Sequence, residues 1–555
     1  MTSTTSKAAR GSSLVLLTLA SAQFLMTLDS SVMNVSIATV AKDVGTTVTG
    51  IQSAITFYTL VMAAFMITGG KIGQIIGRKR AFSIGLVVYS LGSFTTAIAP
   101  SLPVLMLGWS VLEGLGAALI MPAVVALVAS NFDRPDRPRA YGLVASAGAI
   151  AVAAGPLIGG LFTTYASWRY VFVGEVIICM VILGLTRRIS DTEPEQGVRL
   201  DLVGTGLSAA ALSLIVFGIL RSGSWGMVKP KAGAPSWVGL SPVIWLELAG
   251  FALLYAFQAW ERRRKERGES VLVEPGVLRI DALRGGLLSF FFQYLLQAGL
   301  FFTIPLFLSV ALGLSAIATG VRLLPLSITL LIAAVGIPKF LPHASPRRVV
   351  RFGFLMLALG IIVMVVLLDV GAGPEIVTWP MLLAGLGVGS LASQLGAVTV
   401  GALPDERSGE VGGLQNTVTN LGASIGTALA GAVLIAALTS SFLTGIEQNP
   451  DVPDSVASQA QVELSSGAPF VSDADLKAAL DDAHVPPKTA DAIVDENAKA
   501  RISALRASLA LLAVIAVIAL LVNGNIPVTP ASSSTGGQDA DAEAADPRRD
   551  ASGHD

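Results

Sequence analysis

Apolar residues in this chain come in long unbroken blocks, about 18–27 residues each, and do not alternate with polar ones. A helix rises about 1.5 Å per residue, so about 20 residues cross a hydrocarbon layer of roughly 30 Å. The pattern predicts about fourteen such runs. They lie near residues 13–39, 50–70, 80–99, 102–128, 141–165, 168–187, 201–221, 241–260, 285–310, 318–341, 352–369, 378–402, 411–440 and 503–523. Each is expected to be a helix. In lipid only a helix or a closed barrel satisfies its own backbone, and barrel strands would alternate. The first run has a competing reading, because Lys7 and Arg10 precede Leu14–Leu19, and Ala20-Ser21-Ala22 resembles a signal-peptide cleavage site. Apolar sequence continues through Phe24, Leu25 and Met26 to Val40, too far for a signal peptide, so a retained span is expected.

The polar stretches between the runs orient them. Basic residues gather in alternate loops: Lys71, Arg78, Lys79 and Arg80; Arg134, Arg137 and Arg139; Arg187 and Arg188; Arg262, Arg263, Arg264, Lys265 and Arg267; Lys339, Arg347, Arg348 and Arg351. The opposite loops hold few, such as Lys42, Lys229 and Lys231. Positive charge stays on the cytoplasmic side, so a multi-pass protein of the inner or plasma membrane is expected, with both termini in the cytoplasm. Thr439–Ala500 reads as a polar, acidic outer loop, with a helix start at Ser472-Asp-Ala-Asp475 and a helix from Pro486–Ala500 into the last span. After Pro530 the Ser/Gly/Asp/Ala-rich tail is expected to be disordered.

Gly77-Arg-Lys-Arg-Ala-Phe-Ser-Ile-Gly85, after the second run, echoes Ser345-Pro-Arg-Arg-Val-Val-Arg-Phe-Gly353, after the tenth. A six-span repeat would place them six apart, and they lie eight apart, so two extra spans are expected between the halves. Repeated helical halves are a feature of secondary transporters. The expected organisation is an N-terminus at 1–12, a six-helix bundle at 13–188, and two inserted helices with a basic linker at 189–284. A second six-helix bundle follows at 285–525, including the outer loop 441–500, then a tail at 526–555.

Composition narrows the function. Of 555 residues 53% are hydrophobic and only 14% charged, too few charges to cover a water-facing surface of that size. The net charge of −1 and the lack of basic tracts interleaved with aromatics argue against nucleic-acid binding. The lone Cys179 lies in an apolar run, and His343, His484 and His554 lie in loops or the tail. No phosphate cradle, metal cluster or nucleophile pattern stands out, so neither catalysis, a cofactor nor a metal is expected. Energy for any transport must then come from a gradient; a membrane enzyme and a passive pore are the competing classes.

Several motifs resemble the major facilitator superfamily, specifically its fourteen-span drug:proton antiporter branch. Leu28-Asp-Ser-Ser-Val-Met-Asn-Val-Ser36 resembles that branch's first-helix signature, and Gly70-Lys-Ile-Gly-Gln-Ile-Ile-Gly-Arg-Lys79 its loop motif after the second helix. Gly148 with Gly155-Pro-Leu-Ile-Gly-Gly160 resembles the antiporter motif of the fifth helix, and Trp168-Arg-Tyr-Val-Phe172 the start of the sixth. Gly412-Gly-Leu-Gln-Asn416 with Asn420-Leu-Gly-Ala-Ser-Ile-Gly426 resembles the thirteenth. The resemblance implies an all-α fold of two six-helix bundles plus two extra helices, and proton-coupled export of hydrophobic drugs or toxic compounds. It departs at three places: Gln74 stands for an acid, Ser110-Val-Leu-Glu113-Gly114 for Arg-x-x-Gln-Gly, and Glu175 for an asparagine.

The candidate chemistry lies in charged residues inside spans, where each costs roughly 2.5–3.5 kcal/mol on insertion scales. Asp29 and Glu113 fall near mid-membrane, and Glu175 falls nearer the outer surface. Met26, Asp29, Met33 and Ser36 share a helical face, with Asn34 close to it. Carboxyl groups taken out of water can pick up and release protons near neutral pH, which would couple proton entry to cargo exit. The bland alternative is that these acids are structural. Arg322, near the outer end of the tenth run, pairs with a carboxylate or anionic cargo, or else snorkels to the surface. Gly148, Val152, Gly155 and Gly159 share one face, and Pro156 can bend the helix, so a hinge competes with generic small-residue packing. On the hinge reading, Gly159→Leu blocks transport without unfolding. The resemblance implies a cavity lined by the first, fourth, ninth and twelfth spans, and gating by the loop of Gly70, Gly73, Gly77, Arg78 and Lys79. Charge-rule orientation alone also accounts for the basic residues of that loop. Gln293 and Gln297, and Asn416 and Asn420 in the thirteenth span, are cavity candidates because amides in lipid need partners; a lipid-facing, phenylalanine-rich ninth helix is the alternative.

Overall fold

A computed structural model describes residues 2–528 except 133–136, 192–193, 195–197, 232, 275, 404–407, 465–467, 523 and 525. The predicted tail from residue 529 on, and Arg134, fall outside the described residues. In chain order the helices are α1 (Thr2–Asp43), α2 (Val48–Ile76), α3 (Arg78–Ala97), α4 (Leu102–Leu105), α5 (Gly114–Asn131), α6 (Arg137–Tyr165) and α7 (Arg169–Leu185). Then come α8 (Leu202–Trp225), α9 (Pro242–Glu266), α10 (Asp281–Leu306), α11 (Ala316–Phe340), α12 (Pro346–Leu367), α13 (Thr378–Val400) and α14 (Ser408–Gln448). Short α15 (Asp454–Glu463) and α16 (Asp473–Asp482) precede α17 (Pro487–Val522). A π-helical turn, Met106–Glu113, joins α4 to α5 within one span. Each predicted run is occupied by a helix, and the described residues form no strand beyond one isolated bridge, Trp237 to Leu240.

Twelve of these helices are long and apolar enough to cross a membrane, and α6 makes up to thirteen. Helix α6 bends by 41° between Ala140–Val152 and Ala154–Tyr165. Pro156 explains the position: its missing N–H would have bonded the carbonyl four residues back, at Val152. Helix α3 also has 20 residues, but Arg78, Lys79, Arg80 and several Ser and Thr dilute its apolar run. Exposed Leu91, Phe94 and Ile98 on α3, Ile177 and Met180 on α7, and Phe251 and Tyr255 on α9 form the apolar belt that lipid would cover.

The pairing of helices repeats. In the first half α1 packs on α6, α2 on α5, α3 on α5, and α3 on α7; in the second, α10 packs on α14, α11 on α13, α12 on α13, and α12 on α17. Counted by span, these are the same four pairings. The halves meet through α2 on α14 and α6 on α11, again the same pair of positions exchanged. At the first contact Gln52 Nε2 donates to the Thr427 carbonyl at 3.0 Å and Ser424 Oγ to the Thr56 carbonyl at 2.9 Å. The two inserted helices form a hairpin in which α8 packs on α14 and α2 while α9 packs on α8.

The predicted outer loop is folded. Ser472 accepts from Asp475 N–H at 3.1 Å and starts α16, and α17 begins at Pro487 and runs into the last span, as the sequence leads one to expect. Arg501, only 2% exposed, ties the segment down by donating to the Val471 carbonyl at 2.7 Å and to Asp473 at 2.6 Å.

Candidate functional site: a buried trio of carboxylates

Asp29 on α1, Glu113 at the end of the π-helical turn and Glu175 on α7 converge inside the first half. Their exposures are 0%, 0% and 1%, and one carboxylate oxygen of each lies within 4.8 Å of the others. Backbone packing explains how Glu113 gets there. A Cβ on Gly92 would stand 2.6 Å from Glu113 Cγ and 2.7 Å from the Gly108 carbonyl, and a Cβ on Gly108 would stand 2.6 Å from Thr96 Oγ1. Without side chains at these two points, α3 and the π-helical turn touch backbone to backbone, and Glu113 lies against α3. π-Helical turns recur at functional sites.

Neutral donors surround the acids. Trp109 Nε1 donates to both Asp29 oxygens at 2.9 Å, with its ring stacked on Tyr58 at 5.0 Å and 9° between planes. Thr96 donates to Glu113 at 3.1 Å; Ser93 and Tyr89 donate to Glu175 at 3.1 and 3.4 Å. No basic side chain forms an ion pair with the trio among the described residues. Two carboxylates this close repel by roughly 3–4 kcal/mol at an effective dielectric of about 20, before either is desolvated. Placing three carboxyl groups together in this way without a neutralising cation is therefore costly. Glu113 Oε2 and Glu175 Oε1 are buried without a partner. Three such oxygens are also a possible ligand set for a hard cation. The surrounding groups are donors, however, and the indole N–H already occupies both oxygens of Asp29.

This geometry corrects the depth read for Glu175. It is not nearer the surface than the other two acids but joins them, because α7 packs on α3 and brings its seventh residue inward. Arg322 is not brought to the acids. It lies on α11 and lines an open cavity with Ile317, Ala318, Val321, Pro325 and Thr378.

The glycines of α6 serve two neighbours. Gly148 faces Gln23, Gly155 sits against Ser31, and a Cβ on Gly159 would stand 2.9 Å from Val32 Cα, all on α1 of the same half. The contact between halves is carried by the next positions round: Gly160 abuts the Ala316 carbonyl of α11, and Gly320 of α11 abuts the Pro156 carbonyl. The shared face of Gly148, Gly155 and Gly159 is therefore an internal seam, and Pro156 and Gly160 contact the other half.

These observations stand beside four likenesses. A model of the Major Facilitator Superfamily matches residues 19–427. The chain belongs to the Major Facilitator Superfamily. It is 30% identical to the puromycin resistance protein pur8 of Streptomyces alboniger, over 78% of this chain and 84% of that protein. It is 27% identical to a probable actinorhodin transporter of Streptomyces coelicolor, over 82% of this chain and 76% of that one. Among solved structures, a bacterial homologue of the human lysosomal transporter Spinster matches with a TM-score of 0.55 at 15% identity, covering 93% of this chain and 98% of that chain. That last likeness shows the fold.

The loop after α2 is held by contacts of its own. Gly77 has φ of +101°, which makes the turn into α3. Gln74 leaves a buried oxygen without a partner, and Asp191, from the stretch after α7, accepts from Lys79 N–H at 3.0 Å at the start of α3. A carboxylate there also complements the helix dipole. Gly70 lies against Pro122, and Gly73 against Arg78 and Ala81. Where the superfamily's fourth-helix arginine is absent, Ser110 donates to the Ala54 carbonyl at 2.8 Å and binds the π-helical turn to α2.

The amides are scattered. Asn34 and Asn420 donate to their own helices, at the Ser30 and Asn416 carbonyls, both at 2.8 Å. Gln293 is buried on α10 with an unpartnered oxygen, and Gln297 and Asn416 are half-buried. The reading of the sequence missed Trp109, Tyr58, Tyr89, Ser93 and Thr96. Two signals were available: Tyr89, Ser93 and Thr96 recur at i, i+4 and i+7 on one face, and Trp109 precedes Glu113 by four.

Proposed function

We propose that this chain exports small hydrophobic or amphipathic compounds across the cell membrane in exchange for protons, by alternating access, and that it is not an enzyme. The observation that carries the reading is the buried trio of Asp29, Glu113 and Glu175 with no neutralising cation. Protons held there are released when one side opens to water, which drives the opposite movement of cargo. Both termini lie in the cytoplasm in this reading, and residues 13–188 and 285–525 are the two halves that rock. Pro156 and Gly160 form their hinge contact, with Gly148, Gly155 and Gly159 holding α6 to α1. Gly70, Gly73, Gly77, Arg78 and Lys79 form the cytoplasmic gate. Asn34, Gln293, Gln297, Asn416 and Asn420 meet cargo as the halves part.

A second reading, export of one endogenous compound such as a secondary metabolite or lipid, is favoured by the relative whose name ties it to actinorhodin. One experiment tests both. Purified protein is reconstituted in vesicles with an imposed pH gradient and a lumenal pH dye, and a panel of drugs and metabolites is offered. Efflux matched by proton movement, abolished by an uncoupler and by Asp29→Asn with Glu113→Gln, supports the proposal; activity toward one chemotype selects the second reading. Cargo that moves with no change in lumenal pH, in wild type and variants alike, refutes proton exchange.

A further inference from the structure

The cavity beside Arg322 is separate from the acid trio and adjoins the contact between α6 and α11. Its volume is about 370 Å³, and Ile317, Ala318, Val321, Pro325 and Thr378 complete the wall. We propose that it seats the headgroup of an acidic phospholipid, drawn from the leaflet at the α11 start, which is extracytoplasmic in the orientation proposed above.

Four observations support the lipid as occupant. Arg322 makes no hydrogen bond or ion pair with any described residue, yet it is half-buried inside a span. Such a cation costs free energy unless an anion or water meets it. Glu375, on the short turn that packs against α11, folds its carboxylate over Gly373 and forms no ion pair with Arg322. The flank of the cavity faces hydrocarbon, for Val321, Ile328, Ile332 and Trp379 are 47%, 52%, 64% and 70% exposed. The depth suits a headgroup: Arg322 lies six residues past the start of α11, roughly 9 Å along the axis. Trp379 beside Thr378 is the amphipathic ring that membrane interfaces select. A phosphodiester would accept a forked pair of hydrogen bonds from the guanidinium, with Thr378 as a further donor, while an acyl chain runs down the exposed face of α11.

The seat adjoins the contact between halves. Ile317 lines the cavity while its N–H donates to Thr164 Oγ1 of α6 at 3.0 Å, and Gly320 abuts the Pro156 carbonyl. A bound lipid therefore braces α11 where it meets the bent helix.

The test is native mass spectrometry of the full chain released from nanodiscs of phosphatidylglycerol or phosphatidylcholine with matched acyl chains. Wild type is expected to retain phosphatidylglycerol, and Arg322→Gln to retain about 5–10-fold less, the effect of one charge-assisted pair, with phosphatidylcholine unchanged. Arg322→Lys is expected to recover part of the binding. Ala318→Trp, which fills the seat and keeps the charge, is expected to lose the lipid as well, and it guards against a folding defect peculiar to the Arg322 variants. Equal retention by wild type and Arg322→Gln overturns the proposal. So does full retention by Ala318→Trp, which would leave Arg322 merely snorkelling among headgroups, and so does equal displacement by inorganic phosphate alone.

Discussion

Trp109 makes the most specific contact in the acid site. Its N–H meets both Asp29 oxygens, and its ring stacks on Tyr58. Trp109→Phe keeps a stacked ring but strands buried acceptors, a loss of about 1–3 kcal/mol. A fall in melting temperature of a few degrees is expected in a thermal-shift assay, with a larger loss of pH-driven export in vesicles; full export would show that the indole only fills space. Glu175 bears on the same site through Ser93 and Tyr89. Because the three acids share one space, their losses should not add: Glu175→Gln alone is expected to impair export as severely as Asp29→Asn, and the pair together no more than either. Simple additivity in vesicle flux would separate Glu175 from the trio.

At the scale of elements, close crossings set what each helix can do. Gly92 and Gly108 let α3 and the π-helical turn meet, and any side chain there must displace backbone or Glu113. Gly92→Val is expected to destabilise the protein by about 1–3 kcal/mol and to abolish export, measured by thermal unfolding and flux together. On α6 the two glycines in succession part company. Gly159→Leu wedges α6 from the α1 backbone and should lower stability, whereas Gly160→Leu acts on the α11 contact and should stop transport in a protein that unfolds at nearly the wild-type temperature. Reversed outcomes would return the hinge to the Gly148–Gly159 face. The outer segment is an element of its own, held by buried Arg501. Arg501→Leu is expected to expose residues 451–486 to limited proteolysis while the spans stay protected.

For the whole molecule, the contacts between halves have an exchange symmetry, α2 with α14 and α6 with α11. Gln52 lies directly against Gly431 across the first. If these contacts must part in each cycle, cysteines at positions 52 and 431, with Cys179 buried and out of reach, should cross-link and arrest transport until a reductant is added. Undiminished flux in the cross-linked protein would mean that the halves do not separate there.

Much of this was written in the order of residues. Long apolar runs, the charge asymmetry of loops and the bend at Pro156 follow from local physics: lipid requires helices that satisfy their own backbones, and proline removes one hydrogen bond wherever it falls. Asp29 and Glu113 stood out because charge in oil is costly at any position. The joining of Glu175 to them was not legible, since depth counted along α7 says nothing of how α7 leans on α3. Nor could spacing show that Gly159 and Gly160 face different partners, or that Arg322 lines a cavity of its own and pairs with no described acid. Those facts depend on which helices pack together, a property of the three-dimensional arrangement that linear periodicity does not encode.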